Sequence, residues 1–285
     1  MTRELHLAAV RALGGRERVD DIKRLPRRAT VARRTLPDFL VIGAQKSGTT
    51  TLYDHIAAHP SVRSAYMKEV HFFDDNYQRG LGWYRANFPW HAGSERTWLT
   101  GEASPYYILH PLAPRRAADV VPGARILAVL RNPVDRAYSH YQHERAKGTE
   151  SLPFAEALDR EHERIQAAWD QLANGSVERA EALKSYSYVT RGRYDEQLVR
   201  WLQHFPREQL LVIKAEDLYG KPAETMVEVF AFLGLPAVPQ ATYRKLNARE
   251  YDSLDPAMRQ RLCDELRTSV NGLTTLLGRD FGWEL

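Results

Sequence analysis

The run Phe39-Leu40-Val41-Ile42 leads into Gly43-Ala44-Gln45-Lys46-Ser47-Gly48-Thr49-Thr50, and a helical pattern carrying Leu52, Tyr53, Ile56 and Ala57 follows at once. A short apolar run of this kind reads as a buried strand, and the spacing of the later apolar residues as one face of a helix. Strand, glycine-bearing turn and helix in that order make a phosphate-binding loop. The helix start offers free N–H groups and partial positive charge, and the glycines let the backbone approach an anion. Lys46 adds a full charge, Thr49 and Thr50 add hydroxyl donors, and Ser47 and Gly48 complete the loop.

The glycine spacing matches the G-x-x-x-x-G frame of nucleoside triphosphatases, but Thr49 stands where their lysine belongs and Lys46 lies inside the loop. The expected ligand is therefore a nucleotide other than ATP with magnesium. A magnesium-dependent kinase or triphosphatase is the alternative, opposed by Thr49 and by the lack of an evident magnesium carboxylate after an apolar strand. A formal charge of +4 suits an anionic ligand, yet nine arginines fall within the first 36 residues. Such a basic tail reads as a solvated segment, with nucleic-acid or polyanion binding as the competing use. Cys263 is the only cysteine, which rules out an intrachain disulfide and fits a reducing compartment. No apolar stretch is long enough for a signal peptide or membrane anchor, so a soluble cytoplasmic enzyme is expected, with no membrane or nucleic-acid partner.

Further apolar runs at 126 to 130 and 210 to 213 are each followed by a helical pattern. Together with the first they predict an α/β fold of three layers, a central, mainly parallel sheet flanked by helices. Residues 37 to 285 read as one domain after a basic segment at 1 to 36. Helices are predicted through Leu198, Trp201, Leu202 and Phe205, and through Met226, Val229, Phe230 and Leu233, the second stopped by Gly234 and Pro236. The charged stretch 151 to 185, broken at Asn174-Gly175, reads as a helical excursion and a possible lid. Leu130-Arg131-Asn132-Pro133 leaves a strand and enters a helix at Pro133. Arg131 can clamp a phosphate with two N–H bonds, and Ser139 follows on the helix, where spacing alone does not separate a ligand contact from a surface role. Both loops belong at the carboxyl ends of their strands, where ligands of open α/β sheets sit.

These residues resemble the sulfotransferases that use 3′-phosphoadenosine 5′-phosphosulfate, in particular the carbohydrate and heparan-type branch with its soluble bacterial relatives. Gln45 to Thr50 is similar to the family's 5′-phosphosulfate loop, Arg131 with Ser139 to its 3′-phosphate motif, and Lys68-Glu69-Val70-His71-Phe72-Phe73 to the segment bearing the catalytic base. Gly82-Trp83-Tyr84 and Gly101-Glu102-Ala103-Ser104-Pro105-Tyr106-Tyr107 add further matches. The resemblance implies a P-loop-containing fold and metal-independent transfer of a sulfuryl group to a hydroxyl, or less readily an amine, of a carbohydrate or small natural product. It implies Glu69 as base, Lys46 as the group stabilising the leaving phosphate, and His71 as a partner of Glu69 or a residue at the edge of the site.

In an extended segment, residues two apart share a side, which would bring Glu69 and His71 together in the cleft. Arg191-Gly192-Arg193-Tyr194 reads either as a glycine break before a helix or as a lining segment from which Arg191 or Tyr194 contacts a ligand. Tyr243 to Arg249, with Lys245, reads either as a solvated loop or as a basic loop closing over the nucleotide. Ala103 stands where heparan-type enzymes often carry a lysine, and one cysteine cannot build their disulfide-bounded loop. Both departures weaken the expectation of a long sulfated polysaccharide acceptor. No cluster of metal ligands is evident.

Overall fold

A computed structural model of the chain describes residues 24–91, 93, 95–238 and 252–285. Its centre is a sheet of four parallel strands, β1 (Phe39–Gly43), β2 (Gly101–Ala103), β3 (Arg125–Leu130) and β4 (Leu210–Lys214), in the order β2-β1-β3-β4. Side chains alternate across such a sheet. Leu40, Ile42, Ile126, Ala128 and Leu130 face one core; Phe39, Val41, Leu127 and Val129 face another. Both faces are dry, which is why the strands read as unbroken apolar runs rather than as alternating ones.

Helices among the described residues include α1 (Thr49–Ala57), α2 (Gly80–Arg85), α3 (Ala113–Val120), α4 (Pro133–Lys147), α5 (Phe154–Asp159), α6 (Glu161–Ala173), α7 (Glu181–Tyr186), α8 (Tyr194–Leu202), α9 (Ala215–Gly220), α10 (Pro222–Leu233) and α11 (Pro256–Leu277). One core packs Leu198 and Trp201 of α8 and Leu273 of α11 under the sheet, and the other packs Leu52 and Ile56 of α1 against Met226, Val229 and Phe230 of α10. Each of these side chains is at most 1 % exposed, and burial of that kind stabilises by roughly 1.5–3 kcal/mol per large apolar group. α10 ends where expected, with Gly234 in the left-handed conformation at φ 69°.

One expectation changes and another gains detail. The basic segment is not simply solvated over its described part: Arg24 is 4 % exposed, stacks on Trp83 and donates to Asn87 Oδ1, while Arg27 and Arg34 both donate to the Phe88 carbonyl. These arginines satisfy carbonyls of an irregular segment that no helix or strand serves. The excursion is helical, as α5, α6 and α7, and turns at Asn174-Gly175, but it also has a core of its own, with Ile165, Leu172 and Leu183 packed on Tyr106 and Leu109. No helix among the described residues is long and apolar enough to cross a membrane.

Candidate active site

In the order β2-β1-β3-β4 the chain leaves β1 toward one side of the sheet and β3 toward the other, so a crevice opens between their carboxyl ends. There the loops after all four strands border a cleft of about 750 Å³ whose wall includes Lys46, Glu69, Tyr106, Arg131 and Glu216. Gly48 caps α1 at φ 105°, and a Cβ there would lie 2.5 Å from the Tyr219 hydroxyl, so only glycine lets α9 close against the loop. The amides opening α1 have no preceding helical carbonyl to bind, an arrangement that suits an anion. Thr49 and Thr50 line the same wall, whereas Ser47 is fully buried beneath it.

Across the cleft, Asn132 caps α4 by accepting from Val134 N at 2.9 Å, with Pro133 in the first helical position. The cap aims the helix so that Asp135, Ser139, His143 and Lys147, spaced four apart along one side of α4, all reach the cleft beside Arg131. Tyr194 is not at the wall: its ring is 1 % exposed and its hydroxyl donates to the Arg131 carbonyl at 3.0 Å. As a ligand contact it is corrected to a support for the backbone of Arg131. Arg191 does reach the cleft. Its guanidinium donates to Gln45 Oε1 in the phosphate loop and to the carbonyls of Leu183 and Lys184 in α7, tying the excursion to that loop.

Glu69 and His71 face each other, Oε2 to Nε2 3.7 Å, but the segment is not extended. Both residues adopt positive φ, 59° and 52°, a left-handed turn that side-chain-bearing residues hold only when their surroundings enforce it. His71 Nδ1 lies 2.6 Å from Oδ2 of Asp74, whose side chain is fully buried. Burial alone would lower the imidazole, but the charge and hydrogen bond of Asp74, with the nearby Glu69 carboxylate, outweigh it and push His71 up to about 10. The ion pair with His71, at 3.7 Å, in turn holds the Glu69 carboxyl below its ordinary value against burial, with help from the charge of Lys68. Lys68 lies 3.6 Å from Glu69 and donates to Thr50 Oγ1, so it bridges the Glu69 segment and the Lys46 loop.

Asp74, Lys184, His143 and Lys147 were not foreseen. Asp74 had a signal in its i, i+3 spacing from His71, and His143 and Lys147 had one in their four-residue spacing from Ser139 on one helix; Lys184 had none, because tertiary contacts bring it in. His71, Asp74 and Asp75 put potential ligand atoms within 4.8 Å of one another, a cluster the sequence reading did not find. In this structure Asp74 serves His71, and Asp75 is paired with Lys184. Trp83 and Tyr84, from the matching segment Gly82-Trp83-Tyr84, are core residues at 5 % and 0 % exposure. Lys245 lies outside the described residues.

Comparison with known proteins adds a second line. Residues 36–263 match the model of the Sulfotransferase domain family. The chain is 36% identical over 208 residues to human bifunctional heparan sulfate N-deacetylase/N-sulfotransferase 2, covering 70% of this chain and 22% of that protein. It is 31% identical over 283 residues to human heparan sulfate glucosamine 3-O-sulfotransferase 6, covering 91% of this chain and 77% of that protein. The crystal structure of a sulfotransferase from Alicyclobacillus acidocaldarius superposes with a TM-score of 0.70 at 30% identity, over 87% of this chain and 98% of that one. The chain thus spans about a fifth of the bifunctional relative, 22% of its length.

Proposed function

The chain belongs to the Sulfotransferase domain family and is a sulfotransferase, and on that premise we propose that it moves the sulfuryl group of 3′-phosphoadenosine 5′-phosphosulfate in line onto a carbohydrate hydroxyl without a metal ion. The observation carrying this reading is the convergence, in one cleft, of the Lys46 loop, Arg131 with Ser139, and the Glu69–His71 pair. The residues fit such a donor: Lys46 with the amides of α1 suits its phosphosulfate, and Arg131 with Ser139 suits a second phosphate. When bound, the donor supplies an activated sulfuryl group on a phosphate leaving group.

Glu69 takes the proton of the attacking hydroxyl, and its ionised state suits that task. His71, held as an imidazolium by Asp74, orients Glu69. Lys46 meets the charge that grows on the departing phosphate, which favours the transition state over the ground state. Lys46 and the loop amides fill the place that magnesium takes in triphosphatases, so the proposal is metal-independent. It includes a cytoplasmic setting, supported by the single cysteine, Cys263.

The two heparan-sulfate relatives make glucosamine-containing chains the first acceptors to try, and an amine acceptor is the second reading, favoured by the likeness to the N-sulfotransferase. With radiolabelled donor, transfer to heparan sulfate or to its N-deacetylated form supports the proposal and separates oxygen from nitrogen as the target. Phosphoryl transfer from ATP with magnesium, and no sulfuryl transfer to either polymer or to hydroxylated small molecules, would overturn it.

The pH dependence carries a sign. Glu69, held below its ordinary 4.5, is ionised above that range, and activity is lost as pH falls through its lowered value. His71 stays charged up to about 10. The kcat profile is therefore expected to be flat through the ordinary imidazole range near pH ~6.5. A limb centred there would contradict the Asp74–His71–Glu69 arrangement.

A further inference from the structure

The left-handed turn bearing Glu69 and His71 is held from behind by a carboxylate that lies outside the cleft. We infer that Glu102 is a positioning residue for sulfuryl transfer, setting the polarity of the two hydroxyls that grip this turn. The inference rests on the functional reading above.

Glu102 sits in β2 and is 0 % exposed. Its Oε1 accepts from the Tyr84 hydroxyl at 2.7 Å and from the Tyr107 hydroxyl at 3.0 Å, and its Oε2 accepts from the Ser104 hydroxyl at 2.7 Å. Two of these hydroxyls look the other way as acceptors. Ser104 Oγ takes the N–H of His71 at 3.0 Å, and the Tyr107 oxygen takes the N–H groups of Phe72 at 2.7 Å and Phe73 at 3.3 Å. Three consecutive amides of the turn thus depend on two hydroxyl oxygens.

A hydroxyl has one proton. With that proton given to Glu102, only lone pairs remain to face the turn, which is what three N–H donors require. Tyr84, Ser104 and Tyr107 are all 0 % exposed, so no bulk water replaces a lost partner. A glutamine at 102 keeps the shape but turns one acceptor edge into an N–H₂ donor. That edge can no longer receive a hydroxyl proton, so Ser104 or Tyr107 either turns its proton toward an amide that also donates or leaves it without an acceptor in a fully buried site. The turn then loses a grip, and Glu69 and His71 leave their relative placement while the Lys46 loop and Arg131 stay as they are.

The test measures kcat with radiolabelled donor and a saturating heparan-type acceptor, together with the affinity for 3′-phosphoadenosine 5′-phosphate, in the wild type, Glu102→Gln and the milder Ser104→Ala. Misplacement of reacting groups by a fraction of an ångström to an ångström costs up to about 100-fold, so kcat is expected to fall about 10- to 100-fold in Glu102→Gln and by less in Ser104→Ala. Bisphosphate affinity stays at the wild-type level in both. A folded Glu102→Gln with wild-type kcat overturns the inference, as does equal loss of kcat and bisphosphate affinity. If Glu102→Gln does not fold, Ser104→Ala decides, and wild-type kcat there overturns it. A wild-type enzyme that neither binds the bisphosphate nor transfers sulfuryl groups removes the functional reading itself, and this inference with it.

Discussion

Glu69→Gln is expected to lower kcat by about 10²- to 10⁴-fold while leaving the affinity for 3′-phosphoadenosine 5′-phosphate unchanged. Glutamine has nearly the same shape and keeps an oxygen for contact with His71, but it cannot take a proton at neutral pH. An acceptor hydroxyl attacking sulfur must lose its proton as the bond forms, and Glu69 is the cleft carboxylate that His71 holds ionised and oriented. The bisphosphate product carries no attacking hydroxyl, so its binding does not report on the base. Steady-state kinetics beside calorimetry separates the two quantities, and full turnover by a folded Glu69→Gln enzyme would remove Glu69 from this role.

The second large effect belongs to Lys46→Met, which keeps the aliphatic stem and removes the charge. Loss of one fixed donor at a site of developing negative charge costs about 10²- to 10³-fold in kcat, and that is the expected fall here. Unlike the change at Glu69, it should also weaken bisphosphate binding, because in the proposed reaction Lys46 meets phosphate in both the ground state and the transition state. A retained kcat with only weaker binding would make Lys46 a binding residue with no part in stabilising the leaving group.

How far the sequence carried these assignments depended on where each signal lay. Strands β1, β3 and β4 were legible because each is a continuous apolar run buried on both faces. β2 was not, since Gly101–Ala103 is short and carries the charged Glu102; its glycine is needed because a Cβ would lie 2.4 Å from the Phe39 ring, a contact no local pattern announces. The phosphate loop and the Arg131 loop were legible because strand, turn residue and helix are contiguous in each.

The Glu69–His71 pairing was anticipated through the wrong geometry. An extended segment would put both on one side, but a left-handed turn held by Ser104 and Tyr107 brings them together instead. Lys184 and Arg191 enter the cleft from the excursion and the segment after it, and contacts across more than a hundred residues leave no trace in spacing. Tyr194 was one of two candidates in its segment for a ligand contact, and its place three residues after Arg191 says nothing of its burial, with its hydroxyl on the Arg131 carbonyl.

The most direct test of the central claim is calorimetric titration of the purified protein with 3′-phosphoadenosine 5′-phosphate in EDTA, beside ATP with magnesium. Metal-free binding of the bisphosphate, lost in Arg131→Ala, is the expected result. Binding of ATP with magnesium alone, with no heat from the bisphosphate, would contradict it.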